Sequence, residues 1–290
     1  MNRRIKILLA TSLLVASLTT AAAPTAEQRQ QLNQAISAYQ QQDYRRAYEL
    51  FLPLAQQGYA TAQHNLGVMY EKGQGVPQDY ARARHWFEQA AVQGVSASQY
   101  NLGIFYQNGY GVGRDFSRAC HWYGKAAAQG YAVAQYNFGI CYEKGQGMPQ
   151  NYAYARDWYE KAAAQGFPDA QFNLGVLYLN GHGVPQDYAR ARYWFEKAAA
   201  QGMAVAQFNL GAFYEKGLGV PQDYAIARRW YEKAAAQGYA AAQHNLGMLY
   251  YQGHGVPQDY ARARYWFEKA AAQGDGSAQS ALRLLQQEGH

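Results

Sequence analysis

Cysteine is nearly missing from this chain. Its 290 residues include two, Cys120 and Cys141, too few for a disulfide-dense small scaffold or a four-cysteine zinc module. Charge is thin as well: charged residues make up 16% of the chain, and no basic run marks a nucleic-acid stripe. After residue 18 no apolar stretch approaches the roughly 20 residues that a bilayer-spanning helix needs. The glycine-rich segments lack the Lys-Ser/Thr sequel and preceding strand of a phosphate loop. No nucleophile with a plausible base and no pair of carboxylates placed to divide acid and base roles can be picked out. The sequence therefore points to no cofactor, no metal site and no catalytic residue.

Apolar and aromatic side chains are plentiful. Hydrophobic residues make up 49%, with 27 tyrosines, 11 phenylalanines and 6 tryptophans, beside 29 glycines. That composition supports a sizeable core and excludes wholesale disorder. At the amino terminus Arg3, Arg4 and Lys6 precede an apolar run over 7–18 and small residues over 19–23. This is the layout of a secretory signal peptide over 1–23, with cleavage expected near Ala21 to Ala23; the Arg3-Arg4 pair leaves a twin-arginine route open. No cysteine near that point favours a lipid anchor. The expected location is periplasmic or secreted, in a compartment that allows disulfides and without stable membrane insertion. Removing the three basic residues changes 26 basic against 20 acidic to 23 against 20, or +3, evenly spread. No nucleic-acid partner is expected, and the chain is expected to be a monomer.

A period of 36 residues fills the rest. The string Ala62-Gln63-His64-Asn65-Leu66-Gly67 returns with small changes from Ser98, Ala134, Ala170, Ala206 and Ala242. Six copies occupy 62–277, about three quarters of the chain. A partial copy marked by Tyr44, Ala47, Phe51, Ala55 and Gly58 precedes them, and 24–61 is expected to be an N-terminal capping helix pair. The segment 278–290 begins a further copy with Arg283 where the framework has glycine and Gln286 where it has tyrosine, as a polar C-terminal capping helix would.

Each copy reads as two helices. Ala62, Leu66, Met69 and Tyr70 share one face of the first, and the Gly-x-Gly-Val-Pro stretch from Gly73 to Pro77 ends it. Asp79 is an N-cap for the second, matched by Asp115, Asn151, Asp187, Asp223 and Asp259. Ala83, Phe87, Ala90 and Ala91 form its apolar stripe, and Gly94 is its left-handed stop. Gly67 and its five counterparts sit inside the first helix, where each costs about 1 kcal/mol relative to alanine. Close helix approach, with a bulky partner beside the missing side chain, is the expected compensation. All six tryptophans (Trp86, Trp122, Trp158, Trp194, Trp230, Trp266) fall in one second-helix column, expected to be structural, with truncation to alanine costing about 3–5 kcal/mol. A lone helix pair cannot bury this much apolar surface, so the copies must stack as an all-α solenoid.

The pattern Ala-x-x-Asn-Leu-Gly-x-x-Tyr-x-x-Gly-x-Gly-Val-Pro-x-Asp, followed by Ala-x-x-Trp-Phe/Tyr-x-Lys-Ala-Ala, resembles the Sel1-like repeat, a relative of the tetratricopeptide repeat. The resemblance implies a right-handed superhelix of antiparallel helix pairs. It also implies adaptor or scaffold roles toward other proteins, often at bacterial envelopes or in host contact. The second copy departs most, with Gly113 for proline, Phe116-Ser117 for Tyr-Ala and Gly124 for the usual glutamate. A weaker cap and helix are expected there, in a repeat either more mobile or shaped for a particular contact.

The variable column of the first helix reads His64, Tyr100, Tyr136, Phe172, Phe208, His244. At about 100° per residue it lies opposite the Ala62/Leu66/Met69/Tyr70 stripe, so it is not expected to serve the core of its own helix pair. The related tetratricopeptide fold implies that it faces a concave surface, where it forms either an open aromatic ladder for a protein or extended peptide partner or a ladder buried between repeats. Val68, Ile104, Ile140, Val176, Ala212 and Met248 extend the strip. Cys120 and Cys141 fall on consecutive helices that should touch, as a disulfide or as two buried thiols; cysteine-rich members of the family carry helix-to-helix disulfides in a regular pattern that this pair does not reproduce. The histidines, including the loop pair His182 and His254 and the helix pair His85 and His121, are repeat-related and too far apart to share an ion. The function expected is that of an exported, non-enzymatic scaffold. The alternatives are a cell-wall-directed hydrolase or a β-lactam- or peptidoglycan-binding protein, and a secreted host-interaction factor.

Overall fold

The computed structural model describes residues 25–290, so the expected signal peptide lies outside the described residues. Among the described residues every regular element is an α-helix, fifteen in all. They form two compact units divided after Asp115. The first holds α1 (Ala26–Gln40), α2 (Tyr44–Gln56), α3 (Ala60–Lys72), α4 (Tyr80–Val92) and α5 (Ser96–Asn108). The second holds α6 (Phe116–Ala128), α7 (Ala132–Lys144), α8 (Tyr152–Ala164), α9 (Pro168–Asn180), α10 (Tyr188–Ala200), α11 (Ala204–Lys216), α12 (Tyr224–Ala236), α13 (Ala240–Gln252), α14 (Tyr260–Ala271) and α15 (Gly276–Gln287). Within each unit every helix packs on the next in sequence, the arrangement of a repeat solenoid.

Local chemistry sets the helix ends. The side chains of Asp79, Asn151, Asp187, Asp223 and Asp259 each accept the backbone N–H three residues on, at 2.9–3.1 Å, which satisfies one of the orphan donors of the first turn. Gly73, Gly109, Gly145, Gly181, Gly217 and Gly253 close the first helices in the left-handed conformation. In the divergent second copy α6 still runs its full thirteen residues.

The helical glycines have the bulky partner their position called for. A Cβ built on Gly175 would lie 2.6 Å from the Phe195 ring, and on Gly211 2.4 Å from that of Tyr231. No side chain fits there, so the ring of the second helix lies directly on the backbone of the first. These rings are fully buried. The tryptophans, one residue earlier, are only half-buried, and some carry a lysine over the ring, as Lys161 does over Trp158 at 3.8 Å and Lys233 over Trp230 at 4.1 Å. The centre of each helix pair therefore belongs to the residue after tryptophan, and the expected cost of truncating a tryptophan must be reduced.

Two further devices fix the spacing of successive pairs. The loop between the helices of a pair turns back onto the preceding second helix: a Cβ on Gly183 (φ +70°) would meet Tyr152 Cβ at 2.6 Å. His182 lies against Tyr152 with ring centroids 4.8 Å apart, and His254 against Tyr224 at 4.5 Å. Deeper in, the buried Gln171 donates Nε2 to the Ala163 carbonyl of the preceding pair, and its Oε1 accepts from Gln201 Nε2 at 2.9 Å. Gln201 also donates to the Gly166 carbonyl at 2.8 Å. The same glutamine pair recurs as Gln63/Gln93, Gln135/Gln165, Gln207/Gln237 and Gln243/Gln273.

Truncating Phe195 to alanine should cost about 3–5 kcal/mol, and truncating Trp194 about half as much because part of its surface is already wet. Denaturant unfolding of the two variants checks the order; equal losses would mean that the tryptophan column, not the glycine-facing ring, anchors the pair.

Candidate partner-binding surface

In α3 the buried side is Ala62, Gln63, Leu66, Gly67, Met69 and Tyr70, and the other complete first helices repeat it except that Phe138 and Tyr142 in α7 and Tyr214 in α11 are half-buried. The opposite side carries His64, Asn65, Val68 and Glu71, all half-buried. Every member of the variable column, His64, Tyr100, Tyr136, Phe172, Phe208 and His244, is half-buried. One expectation is corrected here, because the column does serve its own helix pair. Ring centroids lie 5.7 Å apart for His64–Phe87, 5.7 Å for Tyr136–Tyr159, 5.5 Å for Phe172–Phe195, 5.7 Å for Phe208–Tyr231 and 5.6 Å for His244–Phe267. The cause is the helical glycine. It sits three residues after the column position, on the same flank, and lets the ring of the second helix reach through to that flank.

Tyr136 and Phe208 are also covered by the residue that heads the next first helix, Phe167 at 5.1 Å and Tyr239 at 5.4 Å. In the second unit no two of the column rings stack on each other; they are spaced by these intervening rings. The result is a row of separate half-exposed aromatic edges set in an apolar strip that includes Ile140, Val176 and Met248, all half-buried.

Polar groups interleave with the row. Asn65, Asn101, Asn137, Asn173, Asn209 and Asn245 occupy one column without exception. Asn65, Asn137 and Asn209 donate to carbonyls of their own helices at 2.7–2.8 Å, and Asn245 donates to the Tyr231 hydroxyl at 3.1 Å. The Tyr159 and Tyr231 hydroxyls donate to Glu143 and Glu215. Burial, together with these carboxylates, raises the pKa of both tyrosines, so they stay protonated as donors. Glu71, which has no tyrosine below it, has its carboxyl raised by burial, offset in part by Lys72. Sequence reasoning missed the asparagine column, the glutamine pairs and the Tyr–Glu contacts. Their signal was invariance from copy to copy at polar positions, since a chain that repeats a buried amide five times is repeating a bond.

His64 and His244 occupy equivalent places with different partners. His64 Nδ1 is hydrogen-bonded to Ser98 Oγ at 2.8 Å, whereas the buried His244 Nδ1 has no partner, its serine counterpart being Ala278. Desolvation, followed by the charge of Lys72, pushes the His64 pKa down to about 4. Cys120 and Cys141 form a disulfide that joins α6 to α7, closing a sequence separation of 21. His182 and His254 lie in separate loops, and among the described residues no cluster of His, Cys, Asp or Glu could hold a metal ion. No described helix is long and apolar enough to cross a membrane.

The Sel1 repeat family matches seven segments, 37–59, 60–95, 96–131, 132–167, 168–203, 204–239 and 240–275. The chain belongs to the Sel1 repeat family. Among solved structures, it is 37% identical, with a TM-score of 0.82, to a protective antigen of uropathogenic Escherichia coli strains displaying an SLR fold. That match covers 89% of this chain but only 57% of the antigen, so the chain spans little more than half of that protein. A Sel1 repeat protein from Oxalobacter formigenes is 33% identical, with a TM-score of 0.73, over 83% of this chain and 96% of its own. No curated protein matches the chain. Sel1 repeats commonly mediate protein–protein interaction and are generally non-enzymatic scaffolds.

Two outcomes follow from these contacts. Because burial lowers the folded pKa of His64, the unfolded chain takes up that proton first, and stability falls as pH drops from about 6.5 toward about 4. Replacing His64 with phenylalanine, the residue found at Phe172 and Phe208, should remove about 3 kcal/mol of that acid sensitivity, read as the difference between denaturant midpoints at the two ends of the window. Replacing both Cys120 and Cys141 with alanine should lower the unfolding free energy by about 3 kcal/mol through the lost loop closure. A loss under 1 kcal/mol would show that the helices alone fix that seam.

Proposed function

We propose that this Sel1 repeat protein is an exported, non-enzymatic scaffold that holds a partner protein or an extended peptide along the first-helix row of Tyr136, Phe172, Phe208 and His244, with His64 and Tyr100 the equivalent positions of the first unit. The observation that carries this reading is the combination of variability and partial exposure in one column. Framework positions repeat with little change because packing dictates them. The column varies between histidine, tyrosine and phenylalanine yet leaves a ring edge open in every copy. Aromatic edges set among hydrogen-bonding amides suit peptide capture, since the rings supply apolar anchor points and the asparagines supply polar partners. Export rests on the sequence of 1–23, with its basic start, short apolar run and small residues. The similarity to an antigen of uropathogenic strains supports a second reading in which the protein is released and meets host cells.

Replacing Tyr136 and Phe172 together with aspartate should abolish partner capture from envelope extract while circular dichroism retains the helical signal. Undiminished capture by the folded variant would remove the row from the mechanism. Cell fractionation separates the two destinations: periplasmic retention is expected for an envelope scaffold, and recovery from culture supernatant for a host-directed factor.

A further inference from the structure

The second copy is singular in a coordinated way. Elsewhere the second helix carries an arginine and, four residues on, a glutamate, which pair as Arg84–Glu88 at 2.6 Å, Arg156–Glu160 at 3.9 Å, Arg192–Glu196 at 3.5 Å and Arg228–Glu232 at 2.9 Å. In α6 both are gone: Cys120 stands for the arginine and Gly124 for the glutamate. The ion pair is replaced by the disulfide to α7 and by an open space. A second substitution faces the space from α7. Phe138 occupies the column filled elsewhere by the buried leucines Leu66, Leu102, Leu174, Leu210 and Leu246. It is too long for that seat and lies half-buried, with its ring tip 3.0 Å from where a Cβ of residue 124 would be. Met148 replaces the valine of the other loops.

These exchanges leave a cleft of about 490 Å³ between α6, α7 and the loop after α7, with Cys120 in its wall. It is a shallow depression, open to solvent along its mouth, that would receive one face of a small molecule. Its lining is divided by chemistry. The half-buried Phe138 and Met148, with the exposed Ala128 beside them, supply apolar surface, and Lys125 and His121 supply cationic or hydrogen-bonding groups at the rim. No carboxylate lines it. Lys125 is held over the Trp122 ring at 4.9 Å and pairs with no carboxylate among the described residues. His121 packs edge-on against the same Trp122, centroids 5.5 Å apart. In the other five complete copies a glutamate stands at the position of Gly124, and in α6 its loss together with that of the arginine leaves this space to Lys125 and His121.

We propose that this cleft is a binding site for a small amphiphilic anion, its apolar body lying on Phe138, Met148 and Ala128 and its carboxylate or sulfonate facing Lys125 and His121. The disulfide ties α6 to α7 beside the cleft, at the position where the other second helices carry the arginine of an ion pair within one helix. The site is independent of the aromatic row.

The test uses the full oxidised chain with two probes, anilinonaphthalene sulfonate followed by fluorescence and dodecanoate as competitor. The expected result is saturable binding at one site per chain, displaced by dodecanoate but not by uncharged dodecanol at equal concentration. Lys125→Glu reverses the rim charge on an exposed side chain and should weaken binding of both anions at least about tenfold. Gly124→Glu restores the residue of the other copies and should abolish binding; its melting curve shows whether the fold survives, and Lys125→Glu decides if it does not. The aspartate pair at Tyr136 and Phe172 should leave probe binding unchanged, which separates this site from the row. Absence of saturable binding, binding indifferent to Lys125→Glu, or equal displacement by dodecanol would each overturn the proposal and leave the cleft a packing gap.

Discussion

The whole molecule depends on a missing side chain. At Gly67, Gly139, Gly175, Gly211 and Gly247 the middle of the first helix presents bare backbone, and an aromatic ring from the second helix lies on it closer than any Cβ would permit. Glycine is a poor helix residue, and the cost recurs in each copy. It is offset because a fully buried phenylalanine or tyrosine contributes more than the glycine loses. The contact also sets how near the two helices come, and so where everything on their outer flanks must sit.

The proposed binding row is a by-product of that approach. A ring that passes the glycine emerges on the far flank and meets the side chain three residues before it, so the column at His64, Tyr136, Phe172, Phe208 and His244 is braced from behind by the core itself. A surface aromatic braced in this way loses little conformational entropy when something lands on it, which is the property an anchor point needs. Core and surface are thus coupled through one small residue, and the surface can vary in type only among rings that still fit the brace.

Much of this was legible in the sequence, and the rest failed for definable reasons. The helix pairs, the aspartate caps, the glycine stops and the need for a bulky partner at Gly67 follow from local chemistry at fixed spacing. The position of the aromatic column was misjudged because a helical wheel treats each residue as a direction and ignores depth. On a wheel, position 64 points away from Leu66, but the wheel does not show that a hole at Gly67 opens a passage between the faces. The prominence of tryptophan misled for a related reason: size suggests core, yet the smaller ring beside it has the deeper seat. The buried glutamine pairs were invisible to apolar periodicity because they are polar residues on the buried face, satisfied only by partners thirty residues away. The cleft beside Gly124 was legible only as an irregularity, since its meaning depends on Phe138 from the following copy.

The disulfide breaks the translational sameness of the second unit. Elsewhere in that unit each seam is made of the same glutamine pair and the same loop contact, so a gene could lose or duplicate a 36-residue block at any of these points and still encode matching surfaces. The junction of α6 and α7 is different, because the disulfide joins a residue of one copy to a residue of the next, and a block boundary between Cys120 and Cys141 would separate the two partners. One junction of the array is thus covalent, whereas the others in that unit are held by packing and hydrogen bonds alone.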